Sequence, residues 1–236
     1  MEQYYQPELP DEGSIRLRDD EERHLLKVRR ARVGDHFQCT DGLGKIAFVR
    51  IDGIGTQGCS YTLVKTENIA SPVPQIHLAV AFPRQESRLE WLLEKSVELG
   101  VREITPLMTE RGIRERIRKE RWEKIMISAL KQSLSAHLPV LNQACGLKEF
   151  LQQEHPQILL AHCHPTPKKL IGQVQLLPKL SLFIGPEGDF TEQEVKLIAQ
   201  KNSINVSLGD LRLRTETAVL VALAHIRQNQ QLSETH

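Results

Sequence analysis

Two glycine-bearing loops follow one another between residues 182 and 218, each leaving a short apolar run and leading into a helical pattern. The first is Leu182-Phe183-Ile184 followed by Gly185-Pro186-Glu187-Gly188. The second is Val206-Ser207-Leu208-Gly209, which continues through Leu213-Arg214-Thr215-Glu216-Thr217-Ala218. Glycine at a strand end allows positive φ and lets a ligand approach the backbone, because no Cβ intervenes. Two such loops close together in sequence point to one pocket at the carboxyl edge of a sheet, where open α/β folds bind ligands. Neither loop has the spacing GxGxxG or GxxxxGK[ST], so dinucleotide and P-loop chemistry are excluded. Glu187 and Asp189 beside the first loop would repel a polyphosphate, whereas a cationic or zwitterionic ligand is tolerated. Arg214, Thr215 and Glu216 can also be read as a helix start, with Thr215 as N-cap and Glu216 at the positive end of the dipole. His162 and His164 flank Cys163 on one strand face, but two imidazoles without an acidic or thiolate partner do not make a metal site. No metal is expected.

These loops need a sheet to hold them, and the pattern from Gln75 onward supplies one. Ile76–Phe82, Val101–Leu107, Ile158–Cys163, Leu182–Ile184 and Asn205–Leu208 read as strands. Between them, Glu86–Leu99 carries an apolar stripe at Leu89, Leu92, Leu93 and Val97 and stops at Gly100. A second helix is expected over Lys119–Ala136, with Trp122, Ile125, Met126, Ala129 and Leu130 on one face. Thr191 and Glu194 form a capping box ahead of Val195 and Ile198. Alternating strands and helices imply a mostly parallel α/β sheet.

The first 70 residues differ in kind. Phe37–Thr40, Ile46–Ile51 and Tyr61–Val64 are short β-like runs broken by Asp41-Gly42 and by Gly53, Gly55 and Gly58, a spacing that suggests a small β-barrel. A short helix precedes them, with Asp19 or Asp20 as N-cap and Leu25, Leu26 and Val28 facing inward. Ser71-Pro72-Val73-Pro74 reads as a linker, which gives domains over 1–70 and 75–236.

The formal net charge over 236 residues is +1, so affinity for a polyanion must come from local patches. Between Ile15 and Val33, seven basic residues (Arg16, Arg18, Arg23, Lys27, Arg29, Arg30, Arg32) face four acids. Between Arg111 and Lys124, seven, including Arg111 and Arg114, face three. Alone, each reads as a solvated face. The four cysteines lack CxxC spacing and fit reduced thiols. No apolar run approaches the ~20 residues of a membrane span, and the first residues lack a signal-peptide core, so a cytoplasmic protein is expected.

The string GPEG at Gly185–Gly188, SLG at Ser207–Gly209 and LRTETA at Leu213–Ala218 resembles the C-terminal signature of the RsmE family, small-subunit (16S) ribosomal RNA uracil-N3 methyltransferases of the SPOUT superfamily. Glu94–Arg111, Arg121–Ser133 and His24–Gly42 resemble further parts of that family, so the likeness covers nearly the whole chain. The resemblance implies an α/β SPOUT methyltransferase domain with a C-terminal trefoil knot, preceded by a PUA-like RNA-binding β-barrel. It also implies a homodimer that uses S-adenosyl-L-methionine to methylate uracil N3 in 16S ribosomal RNA, in the assembled small subunit. On it, the cofactor would be held by Ala161, His162, Ile184, Gly185, Pro186, Gly188, Leu208, Gly209, Leu213 and Thr217. Arg214 would hold the uracil oxygens, and Glu216 would orient Arg214 or act as base. RNA would meet Arg16, Arg23, Lys27, Arg29, Arg30, Arg32, Arg111 and Arg114. Two departures stand out: Asp189 replaces a usual glycine, and Gln132–Pro139 lacks an arginine, leaving Lys131, His137 or the Arg111–Arg121 patch to compensate. A non-catalytic RNA-binding assembly factor, or a relative acting on ribose O2′ or guanine, is the alternative.

Overall fold

The computed structural model describes residues 2–11, 13, 15–55, 58–112 and 118–233, with side chains through 229. It divides into two compact units, Met1–Ser71 with Ile127–Leu138, and Pro72–Met126 with Pro139–His236.

In the first unit the strands are β1 (Gln3–Tyr5), β2 (His36–Thr40), β3 (Lys45–Gly55) and β4 (Gly58–Asn68), with α1 (Asp19–Arg23) between β1 and β2. They pair in the order β1-β2-β3-β4, with β1 parallel to β2 and the other pairs antiparallel. Ala47, Val49 and Ile51 are buried while Arg50 between them is exposed, the period-two pattern of a sheet with one covered face. Tyr4, Phe37 and Tyr61 pack edge to face, with ring centroids 5.3 and 5.6 Å apart. The expected turn at Gly53, Gly55 and Gly58 is instead part of the hairpin, Gly53 opposite Ser60 and Gly55 opposite Gly58. A Cβ on Gly53 would lie 2.8 Å from Ser60 Oγ, a contact that rotation of the exposed serine would relieve.

Two expectations for the first helix change. Arg18 occupies the N-cap without a side-chain bond, and Asp19–Glu22 fill the first turn, where their charges oppose the dipole's positive end. The chain then passes into a wider π-helical turn over His24–Val28, closed by the Arg29 N–H on His24 O at 3.2 Å. That turn advances each residue less around the axis, which leaves Leu25 buried but turns Val28 outward, 64% exposed.

The second unit is built from β5 (Gln75–Val80), α2 (Glu86–Glu98), β6 (Glu103–Met108), α3 (Lys119–Ser133, whose end belongs to the first unit), β7 (Val140–Leu141), β8 (Cys145–Gly146), α4 (Leu147–Phe150), β9 (Ile158–Ala161), β10 (Lys169–Leu170), β11 (Lys179–Ile184), α5 (Glu192–Ala199), β12 (Ile204–Ser207) and α6 (Thr215–Ser233). The sheet is parallel throughout, in the order β10-β12-β9-β11-β5-β6-β7, with β8 beside β6. Its central strands are apolar on both faces: all of β9 and Leu180–Ile184 are buried. Phe150, Phe183, Phe190, Ile158, Leu160 and Ile198 form the core on one side.

Local signals fix the helices. The Thr191 hydroxyl accepts from Glu194 N–H at 3.3 Å while the Glu194 carboxylate accepts from Thr191 N–H at 2.8 Å, starting α5. Gly100, at φ +67°, follows the end of α2. α3 stops at Ser133, earlier than expected, because Leu134 turns to φ +56°. The Arg227 guanidinium on α6 donates to the carbonyls of Leu99 (2.9 Å), Pro74 (3.0 Å) and Gly100 (2.5 Å), which ties α6 to the corner after α2.

Candidate active site

The register of three strands sets up the site. Ala161 stands opposite Ile184 of β11 on one side and Val206 of β12 on the other, so the segments leaving β9, β11 and β12 start from one edge. A cleft of ≈ 270 Å³ opens there, lined by Ala161–Cys163, Lys168, Val206–Leu213 and Ala218. Of the residues expected at a cofactor, Ala161, His162, Leu208, Gly209 and Leu213 line it; Ile184, Gly185, Pro186, Gly188 and Thr217 do not.

The first glycine loop is tied to the second by its bonds, among them Arg212 Nη2 donating to Glu187 O at 3.5 Å. Thr215 Oγ1 donates to Gly185 O at 3.0 Å in a buried position. Arg111 Nη1 donates to Gly188 O at 2.7 Å. A Cβ on Gly185 would lie 3.0 Å from Phe190 N and 3.1 Å from its ring, so the glycine there serves the loop's packing on Phe190. Glu187 is exposed, and its Oε1 accepts from Arg84 N–H at 3.2 Å.

The second loop forms the cleft wall. Gly209 sits at φ +118°, and a Cβ built on it meets nothing within 4 Å, so its backbone conformation rather than crowding requires glycine. His162 is 8% exposed, and its Nδ1 accepts the His164 N–H at 3.1 Å. Burial, and then the positive charge of Lys168, lower its pKa, so the ring is neutral with its proton on Nε2. His164 Nε2 lies 2.7 Å from Phe190 O. Among the described residues no group of three His, Cys, Asp or Glu side chains could hold a metal ion.

At the end of the second loop Arg214 is exposed, and its carbonyl accepts Ala218 N–H at 2.8 Å. Arg214 is therefore the N-cap of α6; Thr215, expected there, lies inside the helix with its hydroxyl committed to Gly185. The Arg214 side chain makes no hydrogen bond or ion pair among the described residues. Glu216 makes no hydrogen bond or ion pair with it among the described residues. Residues two apart at a helix start point to different sides, and Glu216, 8% exposed, lies with Oε1 3.6 Å from Arg88 Nε on α2. Its Oε2 is buried without a partner among the described residues. Arg88 carried no sequence signal, and Lys168 and Arg212 were equally silent; Cys163, Ser207, Asp210 and Leu211 were adjacent to expected residues.

The basic residues separate into two groups. Arg16, Arg23, Lys27, Arg29, Arg30 and Arg32 are all exposed in the first unit. Arg29 pairs with Glu2 at 2.5 Å, and Arg30 takes a positive φ of 54° that turns the chain in the middle of the run. In the second unit Arg111 braces Gly188, Arg118 pairs with Glu86 and Arg121 with Glu90. Arg114 lies outside the described residues. The possible substitutes for the missing arginine are engaged: Lys131 donates to both oxygens of Glu21 at 2.9 Å, and His137 Nε2 lies 3.0 Å from Ile69 O.

A parallel sheet with a cleft at the ends of β9 and β12 matches a known class. The chain fits an RNA methyltransferase domain over residues 70–227 and an RNA methyltransferase PUA domain over residues 17–60. It is 34% identical to a probable rRNA-methyltransferase of Porphyromonas gingivalis whose crystal structure superposes with a TM-score of 0.90, covering 99% of this chain and 100% of that one. It is 31% identical to a ribosomal RNA small subunit methyltransferase E of Neisseria gonorrhoeae, solved bound to S-adenosyl methionine, with a TM-score of 0.84 and 97% of each chain covered. The protein of the same name from Rickettsia conorii is 29% identical, over 95% of this chain and 93% of its own length. The chain belongs to the ribosomal RNA small subunit methyltransferase E family.

Proposed function

We propose that this chain transfers a methyl group from S-adenosylmethionine to N3 of a uridine in 16S ribosomal RNA, acting in the cytoplasm as a homodimer on the assembled small subunit. The observation that carries the reading is the segment Leu208–Arg214: it walls the cleft at one end and at the other presents a guanidinium without a partner among the described residues. The cleft suits the cofactor. Ala161, Val206, Leu208, Leu213 and Ala218 give apolar walls for a flat base, and Lys168 and Asp210 bring both signs of charge for a zwitterionic amino acid. S-adenosylmethionine supplies an electrophilic methyl on a sulfonium.

Uracil N3 must lose a weakly acidic imide proton before or as it accepts the methyl, so negative charge develops on the flanking oxygens. Arg214 is always charged, and its planar donor fork suits those oxygens. Glu216 is buried against Arg88 rather than facing Arg214, so it is poorly placed as a base. Its role in this reading is to fix the start of α6 through Arg88, and thereby hold Arg214 at the rim. Ile184, Gly185, Pro186, Gly188 and Thr217 act behind the cleft wall, chiefly through the Thr215–Gly185 bond.

Residues 1–70 form the RNA-gripping PUA-like part in this reading, with the exposed Arg29–Arg32 run on the phosphates, and residues 75–236 form the methyltransferase domain. A threaded C-terminal path is supported by the strand order β12-β9-β11 and by Thr215 fastening on Gly185. No helix among the described residues is long and apolar enough to cross a membrane.

The test is to incubate the purified protein with methyl-labelled S-adenosylmethionine and unmodified small subunits. Label in the ribosomal RNA is expected. Cofactor binding without transfer would favour an assembly factor that retains the fold.

A further inference from the structure

Asp189 joins two of the segments that leave the sheet edge. It sits at φ +63°, in the left-handed region that L-residues seldom occupy and that aspartate tolerates better than most. Its own N–H closes a turn on Pro186 O at 2.8 Å. Its Oδ1 accepts the next amide, Phe190 N–H, at 2.8 Å, and its Oδ2 reaches across 26 residues to accept Cys163 N–H at 2.7 Å. Cys163 follows β9 and lines the cleft, and in the next residue His164 N–H is donated to His162 Nδ1. Two consecutive amides at the wall's end are thus held, one by the aspartate and one by the buried imidazole. The carboxylate fits because Gly185 lacks a side chain: a Cβ there would lie 3.2 Å from Asp189 Oδ1.

We propose that Asp189 is a positioning residue for the cofactor cleft, holding the wall Ala161–Cys163 in its binding geometry by anchoring the Cys163 amide to the first glycine loop. The proposal rests on the S-adenosylmethionine reading of the cleft. It assigns to the first glycine loop, which does not itself line the cleft, a task in binding. A hydrogen bond to a carboxylate is stronger than one to a neutral acceptor, and among the contacts that hold this segment it is the one made directly to an amide of a cleft-lining residue. Glycine would keep the backbone turn and delete the anchor; asparagine would keep the turn and one uncharged acceptor.

The experiment is calorimetric titration of the full-length protein and of Asp189→Gly and Asp189→Asn with S-adenosylhomocysteine, alongside thermal unfolding without ligand and steady-state methyl transfer. Asp189→Gly should bind roughly tenfold more weakly, with a raised KM for S-adenosylmethionine, a kcat close to the parent at saturating cofactor and a similar unliganded Tm. Asp189→Asn should recover part of the affinity. Equal affinity of Asp189→Gly and the parent overturns the proposal, as does a loss of affinity matched by falls in kcat and Tm together. A parent protein that does not bind S-adenosylhomocysteine overturns the cofactor reading itself and takes the proposal with it.

Discussion

The Thr215 hydroxyl donates to the Gly185 carbonyl at 3.0 Å, a buried bond between residues 30 positions apart that fastens the second glycine loop to the first. Thr215→Val keeps the shape but leaves Gly185 O buried without its donor, a loss of about 1–3 kcal/mol. Urea unfolding should show that loss, and Thr215→Ser should restore most of it. Equal stability of Thr215→Val and the parent would show that the bond contributes nothing.

Arg214 has no partner to lose within the described fold, so its removal should leave structure and cofactor binding intact. Arg214→Ala is expected to bind S-adenosylhomocysteine as the parent does and to lose about 10²–10³ in kcat, the range for a donor aimed at developing charge. Unchanged turnover would remove Arg214 from the chemistry.

The Arg88–Glu216 pair, with side chains 30% and 10% exposed, is a coupling test. A double-mutant cycle of Arg88→Ala and Glu216→Gln, read by denaturant unfolding, should give an interaction of about 0.5–3 kcal/mol. Strict additivity would mean that Arg88 does not hold Glu216.

Much of the scaffold was legible because its signals are local. Thr191 and Glu194 stand three residues apart, so their capping box can be read directly, and Gly100 marks the end of α2 by its own backbone conformation. The site was legible where the strand end and the loop residues themselves form the wall, as at Ala161, His162, Leu208, Gly209 and Leu213. What escaped depends on partners distant in sequence: Glu216 finds Arg88 rather than its neighbour Arg214, and Gly185 is bound to Thr215 and packed on Phe190. Val28 escaped for a different reason, since one π turn shifts the phase that a helical pattern assumes.

The buried His162 makes stability depend on pH in a definite direction. Its folded pKa lies below the unfolded value of 6.5, chiefly through burial, so the unfolded chain binds the proton more readily. Stability is therefore present above 6.5 and falls as pH drops through that value toward the folded pKa, below which there is no further loss. His77, also lowered mainly by burial, adds in the same direction. Protonation of the folded ring removes the Nδ1 acceptor for His164 N–H, so S-adenosylhomocysteine affinity should weaken only as pH falls through the lowered folded pKa, below the onset of the stability loss. His162→Gln should flatten its share of the pH dependence; an identical slope would contradict the assignment.

If the exposed arginines Arg29, Arg30 and Arg32 grip phosphates, each one removed should lower the slope of log affinity against log salt by roughly 0.7–0.9. Filter binding of small-subunit RNA over a salt series reads this directly. A slope unchanged in the triple alanine variant would place the RNA elsewhere.

Methylation at uracil N3 is tested most directly by treating unmodified small subunits with the protein and S-adenosylmethionine, mapping reverse-transcriptase stops, and identifying the modified nucleoside after digestion. The expected result is a new stop at a single uridine and recovery of the methyl as 3-methyluridine. Methyl recovered on ribose O2′ or on guanine would contradict it.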